Sequence, residues 1–153
     1  MSKTIQNNFV FNWVLINEIA IGTGPKAQED VFKLERKGIK SILSLCSEEE
    51  SKPPNNIDNF FKCERIILPD HTYNRIITFE ELKSALDILE KLKKYRPTFV
   101  HCKASVERSP LICIAWLVEH KDLTIQQSLD YLMRVNKGSC PSADQLKILK
   151  KLY

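Results

Sequence analysis

The chain has 153 residues, enough for one domain, 1–153, with a substantial buried core. Its 43% hydrophobic and 27% charged content is that of an ordinary soluble globular protein. A net charge of +4 suits an anionic substrate, but the chain lacks the basic clusters of a dedicated nucleic-acid binder, so no nucleic-acid partner is expected.

Phe9 to Val14 and Glu18 to Gly22 carry strand-prone residues around a polar break at Asn17, which predicts a short antiparallel start. Gly22-Thr-Gly-Pro25 is a turn; the third glycine of a dinucleotide fingerprint is missing. Ala27 to Lys37 reads as a helix with Val31 and Leu34 facing inward, ended by Gly38. Ile39 to Cys46 follows as a buried strand. Helix, glycine, apolar strand is half of a parallel crossover, which indicates an α/β chain. Glu48 to Asn56 is a polar loop with two prolines, and its triplet Glu48-Glu49-Glu50 reads as solvated surface. Glu64 to Leu68 is the next strand, ending at Pro69-Asp70-His71. Thr78-x-x-Glu81 is a capping box. Behind it Phe79, Leu82, Ala85, Leu86, Leu89 and Leu92 recur at helical spacing, and Pro97 stops the helix.

The stretch from Thr98 to Pro110 carries the chemistry. An apolar run, Thr98 to Val100, reaches His101 and Cys102. Arg108 ends a short loop, and Ser109-Pro110 opens the apolar run Leu111 to Val118. The layout is strand, tight loop, helix. Unpaired amides and the helix dipole make such a loop an anion site. Positive potential there favours thiolate at Cys102; cysteines so placed have pKa values of about 3.5–7.5 instead of ~8.5. Arg108 offers a planar fork that can hold two phosphoryl oxygens at once. His101 and Cys102 are adjacent on a strand and face opposite ways, so they form no protease dyad; His101 is expected to bond backbone and stiffen the loop. The last third reads as helical. Thr124-x-x-Gln127 opens a helix with Ile125, Leu129 and Leu132 inward. Ser142-x-x-Gln145 opens a last one with Leu146, Leu149 and Leu152.

His-Cys-x5-Arg-Ser, set between strand and helix in a short chain, resembles the cysteine-dependent protein phosphatases, and most closely their dual-specificity branch. The resemblance implies a single mixed, mostly parallel five-stranded sheet flanked by helices, the protein-tyrosine-phosphatase-like fold. The site would lie at the C-terminal end of the central strand. The resemblance makes Cys102 the nucleophile and Arg108 the phosphate clamp. The backbone of Lys103, Ala104, Ser105, Val106, Glu107 and Arg108 becomes the cradle. Ser109 would bond the cysteine sulfur, and His101 would support the loop. Asp70, 102 − 70 = 32 positions ahead of Cys102 and just after a strand, is the expected general acid. His71 and Asp58 are weaker substitutes. Ser105 stands where many relatives have Gly, and Glu107 places a carboxylate beside the clamp, where it must point away or pair with a cation. Ser-x-Glu-Arg followed by x-Pro is also similar to the loop of rhodanese-fold phosphatases. Ser142 replaces a usual Asn and is expected to help support the loop.

The expected activity is hydrolysis of phosphotyrosine and phosphoserine or phosphothreonine through a phosphocysteine intermediate. It needs no metal or organic cofactor, since His71, His101 and His120 lack ligand-like spacing. A phosphorylated protein or peptide is the expected partner of a monomeric enzyme. Three alternatives remain: a phosphate-binding module that turns over poorly, a sulfur carrier, and a phosphatase for phosphoinositides, RNA 5′-phosphates or glucans. The polar stretch Met1 to Asn8 lacks the apolar core of a secretory leader, and Leu111 to Val118 is too short to span a bilayer, so no membrane association is expected. Five cysteines without C-x-x-C spacing suit a reducing cytoplasm. Cys46, Cys63 and Cys113 fall in apolar patterns as packing residues; a reversible disulfide from Cys46 or Cys63 to Cys102 is the lesser reading.

Overall fold

Strand residues here alternate between two apolar surroundings, which is what a sheet with helices on both faces demands. The computed structural model describes residues 8–153; most of the polar stretch Met1 to Asn8 lies outside them. Five strands, β1 (Phe11–Leu15), β2 (Ile19–Thr23), β3 (Ser41–Ser44), β4 (Lys62–Arg65) and β5 (Thr98–Cys102), form one sheet in the order β1-β2-β5-β3-β4. The β1–β2 pair is antiparallel and the other pairings are parallel. This is the single mixed, mostly parallel sheet that the resemblance implied, with β5 at its centre.

Helices α1 (Gln28–Arg36), α2 (Phe79–Lys91), α3 (Arg108–Lys121), α4 (Ile125–Val135) and α5 (Ala143–Leu149) flank it. Ala20, Ile42 and Phe99 pack with Val31 and Leu34 of α1. Ile19, Ile21, Leu43, Val100 and Cys102 face the larger core beneath α2–α5. Val31 and Leu34 are fully buried, and each contributes about 1.5–3 kcal/mol through burial. Gly38 stands at φ 83° just past α1, a conformation that favours glycine. From Arg108 to Leu117 every residue of α3 is buried, because the helix lies between β5 and the outer helices.

The capping boxes at Thr78, Thr124 and Ser142 all form, each with its side chain accepting from the N3 amide. Several boundaries differ from the sequence reading: β3 spans Ser41–Ser44 and not Ile39 to Cys46, and α5 ends at Leu149, short of Leu152. β4 lies at Lys62–Arg65, ahead of the expected Glu64 to Leu68, because its register is set by pairing Ser41↔Lys62 through Ser44↔Arg65. Leu92 continues the apolar stripe of α2 but belongs to a 3-10 turn, Leu92–Tyr95. Among the described residues no helix is long and apolar enough to cross a membrane.

Candidate active site

β5 delivers Cys102 to the C-terminal edge of the sheet, and α3 starts at Arg108. The intervening loop therefore curls around the N-terminus of a long buried helix, where amides and dipole favour an anion. Cys102 is 2% exposed and its Sγ lies 3.2 Å from Ser109 Oγ. Ser105 takes the left-handed backbone (φ 59°) that the missing glycine would have taken freely. Asn136, buried at the end of α4, holds it there. Its Nδ2 donates to the Ser105 carbonyl at 3.2 Å and to Ser105 Oγ at 3.3 Å. Asn136 was not singled out from sequence, where it looks like any helix-terminal asparagine. Ser142, the residue expected to support the loop, caps α5 and reaches the loop only through its partner Gln145.

Arg108 is 3% exposed and its fork is already anchored. Nη1 donates to the Leu68 carbonyl at 3.1 Å and to Glu50 Oε2 at 3.2 Å, and Nη2 donates to Glu50 Oε1 at 3.0 Å. Glu50 thus corrects the sequence reading of its triplet. Glu48 and Glu49 are exposed, but Glu50 turns inward. Burial opposes its charge, yet bonds from Arg108 and the Ser47 amide outweigh this and lower its pKa. Arg108 stays charged for the reciprocal reason: burial works against it, and Glu50, Cys102 and Asp70 more than offset that.

Asp70 comes to the same mouth, with Oδ2 3.4 Å from Arg108 Nη2. Burial would raise its pKa, but the Thr72 hydroxyl at 2.5 Å, the Thr72 amide at 2.8 Å and the Arg108 charge hold it below the usual carboxylate value. Glu107 points away from the cradle interior. Its Oε2 meets the ring and the backbone N–H of His71, and its Oε1 accepts from Gln145 Nε2 at 3.3 Å. Asp58 lines a separate groove with Cys63 and Arg65.

His101 faces away from Cys102 and packs on Phe99. Its Nδ1 lies 3.3 Å from the Cys102 carbonyl, so Nδ1 carries the proton, and Nε2 accepts from Ser44 Oγ at 2.6 Å. Complete burial pushes its pKa down to about 4, which keeps the ring neutral. Gly24 lies against it: a Cβ there would stand 2.1 Å from Ser51 Oγ and 3.1 Å from the imidazole. Burial pushes the Cys46 thiol up to about 11 and the Cys63 thiol to about 12, so both are poor nucleophiles as they stand.

The cleft over the cradle holds about 470 Å³ and is lined by Asp70, His71, Cys102, Val106, Arg108 and Cys140, among others. Asp70, His71 and Glu107 bring ligand-type atoms within 4.8 Å of one another. Thr72, Gln145 and the His71–Glu107 pairing account for this cluster as a hydrogen-bond network. The arrangement can bind a tetrahedral anion, attack it from sulfur and move a proton at its rim.

A family model described as dual specificity phosphatase, catalytic domain, matches residues 20–153. The phosphatidylglycerophosphate phosphatase PTPMT2 of Arabidopsis thaliana is 21% identical over 140 residues, covering 91% of this chain and 61% of the relative. The chain therefore spans about three fifths of that relative's length. Among solved structures, the active form of Tk-PTP matches with a TM-score of 0.78 at 19% identity, covering 93% of this chain and 95% of that one. PTPMT1 in complex with PI(5)P matches with a TM-score of 0.79 at 16% identity, covering 92% of each chain. These two likenesses speak for the fold.

Proposed function

The chain belongs to the dual specificity phosphatase catalytic-domain family, and from that premise we propose that it hydrolyses phosphomonoesters through a phosphocysteine intermediate. One observation carries the reading: the buried Arg108, anchored by Glu50, converges with Cys102 and Asp70 on a single cleft. In the first step Cys102 thiolate attacks phosphorus, the S–P bond forms and the P–O bond to the leaving group breaks. Asp70 gives its proton to the departing oxygen. In the second, water attacks the phosphocysteine, Asp70 takes a proton from it, and sulfur leaves as thiolate, eased by the Ser109 hydroxyl. Loop amides and Arg108 stabilise the charge on the equatorial oxygens in both steps. Asp70 is held ionised in the free protein. An arriving phosphate anion raises its pKa by like-charge repulsion, and the acid is thereby loaded.

As substrate the proposal takes phosphorylated tyrosine, serine or threonine on a protein, because the cleft over the cradle opens to solvent and admits both kinds of side chain. A second reading, a phosphomonoester on a lipid head group, is favoured by the similarity to phosphatidylglycerophosphate phosphatase PTPMT2 over most of this chain. Five cysteines without a disulfide support a cytoplasmic setting.

The test is turnover of an aryl phosphate by the reduced protein. Cys102→Ser should abolish it while an oxyanion such as tungstate still binds, and Asp70→Asn should slow it by about 10²–10⁴-fold. Normal turnover in Cys102→Ser would sink the mechanism. Anion binding without turnover in the intact protein would favour the binding module, and persulfide on Cys102 the sulfur carrier. Phosphopeptides assayed beside phosphatidylglycerophosphate in vesicles separate the two substrate readings.

A further inference from the structure

We propose that Glu107 is the latch of the acid loop: through His71 it ties the segment bearing Asp70 to the phosphate cradle, and through Gln145 it is itself braced on α5. The proposal rests on the phosphatase reading above and adds a positioning pair to it.

The argument starts from what an acid requires. Asp70 touches the cradle through Arg108 at 3.4 Å, a contact between opposite charges. That contact cannot hold the loop during the first step. The proton-loaded carboxyl is neutral, and the substrate phosphate competes for the same guanidinium. The other bonds to the Asp70 carboxylate come from Thr72 within its own loop. The loop around it is irregular, with His71, Thr72, Asn74 and Arg75 exposed. The Leu68 carbonyl, bonded by Arg108, and Tyr73, bonded to Glu50, hold the loop on either side of the acid, and the residue next to Asp70 adds a tie straight to the cradle.

His71 supplies it twice. Its backbone N–H donates to Glu107 Oε2 at 3.3 Å, and its ring Nδ1 bonds the same oxygen. Glu107 stands immediately before Arg108 in the cradle, and its side chain is 12% exposed. Its other oxygen accepts from Gln145, whose helix is capped by Ser142. Each oxygen of one carboxylate therefore serves a different element, acid loop on one side and α5 on the other. The imidazole faces Glu107 of the cradle, Asp70 of its own loop and Arg108 of α3, and it shares a groove with Asp144 of α5. Hydrogen bonding and charge from Glu107 raise its pKa, so the pair stays ionic to higher pH than an ordinary histidine would allow. Glu107 thus acts through Asp70 and touches no reacting atom.

The experiment compares two aryl phosphates, one whose leaving group is as basic as a tyrosine phenolate (pKa about 10) and one with a strongly acidic polynitrophenolate. Only the first needs a proton as it leaves. In Glu107→Gln and His71→Asn, kcat/KM for the basic leaving group should fall roughly 2–5-fold more than for the acidic one, the scale on which a partly exposed ion pair holds its partners. Added to Asp70→Asn, neither change should alter the leaving-group preference further. Equal losses on both substrates would overturn the latch while leaving the phosphatase reading intact. Should Asp70→Asn itself show no leaving-group preference, the acid assignment falls, and the latch with it. His71 is 75% exposed, so His71→Asn keeps the test valid even if Glu107→Gln disturbs the fold.

Discussion

Arg108 has five N–H donors to distribute. Both hydrogens of Nη1 go to Leu68 and Glu50, and one of Nη2 goes to Glu50. Nε–H and the second Nη2 hydrogen remain, side by side on one edge of the plane. Glu50 thus leaves this edge to the cleft, where Asp70 Oδ2 stands 3.4 Å from Nη2, and fixes its direction. Glu50→Gln keeps the shape and removes the charge, so the fork should lose orientation worth about 1–2 kcal/mol. The expected result is a 5–30-fold drop in kcat/KM, with inorganic phosphate inhibiting more weakly by a similar factor. Unchanged kinetics would show that the cradle alone aims the guanidinium. Cys102, Arg108 and Ser109 could be read from sequence because they share one short stretch. Glu50 could not. It sits 58 positions from Arg108 in a run of three identical carboxylates, and nothing local distinguishes the one that turns inward. Asp70 was legible only because the resemblance supplied a spacing; the strand end that also pointed to it lies at Arg65 and not at Leu68.

At the level of elements, the cradle is held from outside. Its left-handed Ser105 costs roughly 1–2 kcal/mol relative to a glycine. Bonds from Asn136 offset that cost, and Asn136 is fixed in turn by Asn12 of β1 at 2.9 Å and by Ser139 at 2.8 Å. One amide at the end of α4 therefore joins the edge strand to the loop between β5 and α3. Asn136→Ala should cost about 2–3 kcal/mol, because buried partners lose their bonds, and lower Tm by roughly 5–10 °C. Ser105→Gly relieves the backbone and should soften the loss in the double variant. Thermal melts of the two single variants and the double one check this, and full additivity would show that the two residues act independently. The helices themselves were legible, since three capping boxes and their apolar stripes are local signals. The position of β4 was not, because pairing with β3 decides its register and its own sequence fits either frame. Asn136 escaped notice because its contact spans 31 residues and no pattern marks it.

For the molecule as a whole, the weak point toward acid lies in the middle of the sheet. His101 is 3% exposed on the central strand, bonded to Ser44 of β3, with its pKa pushed down to about 4 against 6.5 for the free side chain. Between those values the unfolded chain binds a proton that the folded one refuses, so stability falls as pH drops. The full loss is about 3 kcal/mol, a large share of the roughly 5–15 kcal/mol that holds a typical domain together. Other groups act elsewhere on the scale. Glu50 and Asp70, with pKa values lowered from 4.5 and 3.8, lose their contribution only below those values. His71, whose pKa is raised from 6.5, contributes stability at low pH and loses it as pH rises through its folded pKa, the opposite sign to His101. It is largely exposed to solvent, so it cannot balance a buried imidazole on the central strand. Urea midpoints measured from pH 7 to 3 should therefore fall in two stages, a first between about 6.5 and 4 and a second below it. His101→Asn, less stable at pH 7, should lose the first stage and keep the second. A first stage that survives in His101→Asn would place the acid-sensitive group elsewhere.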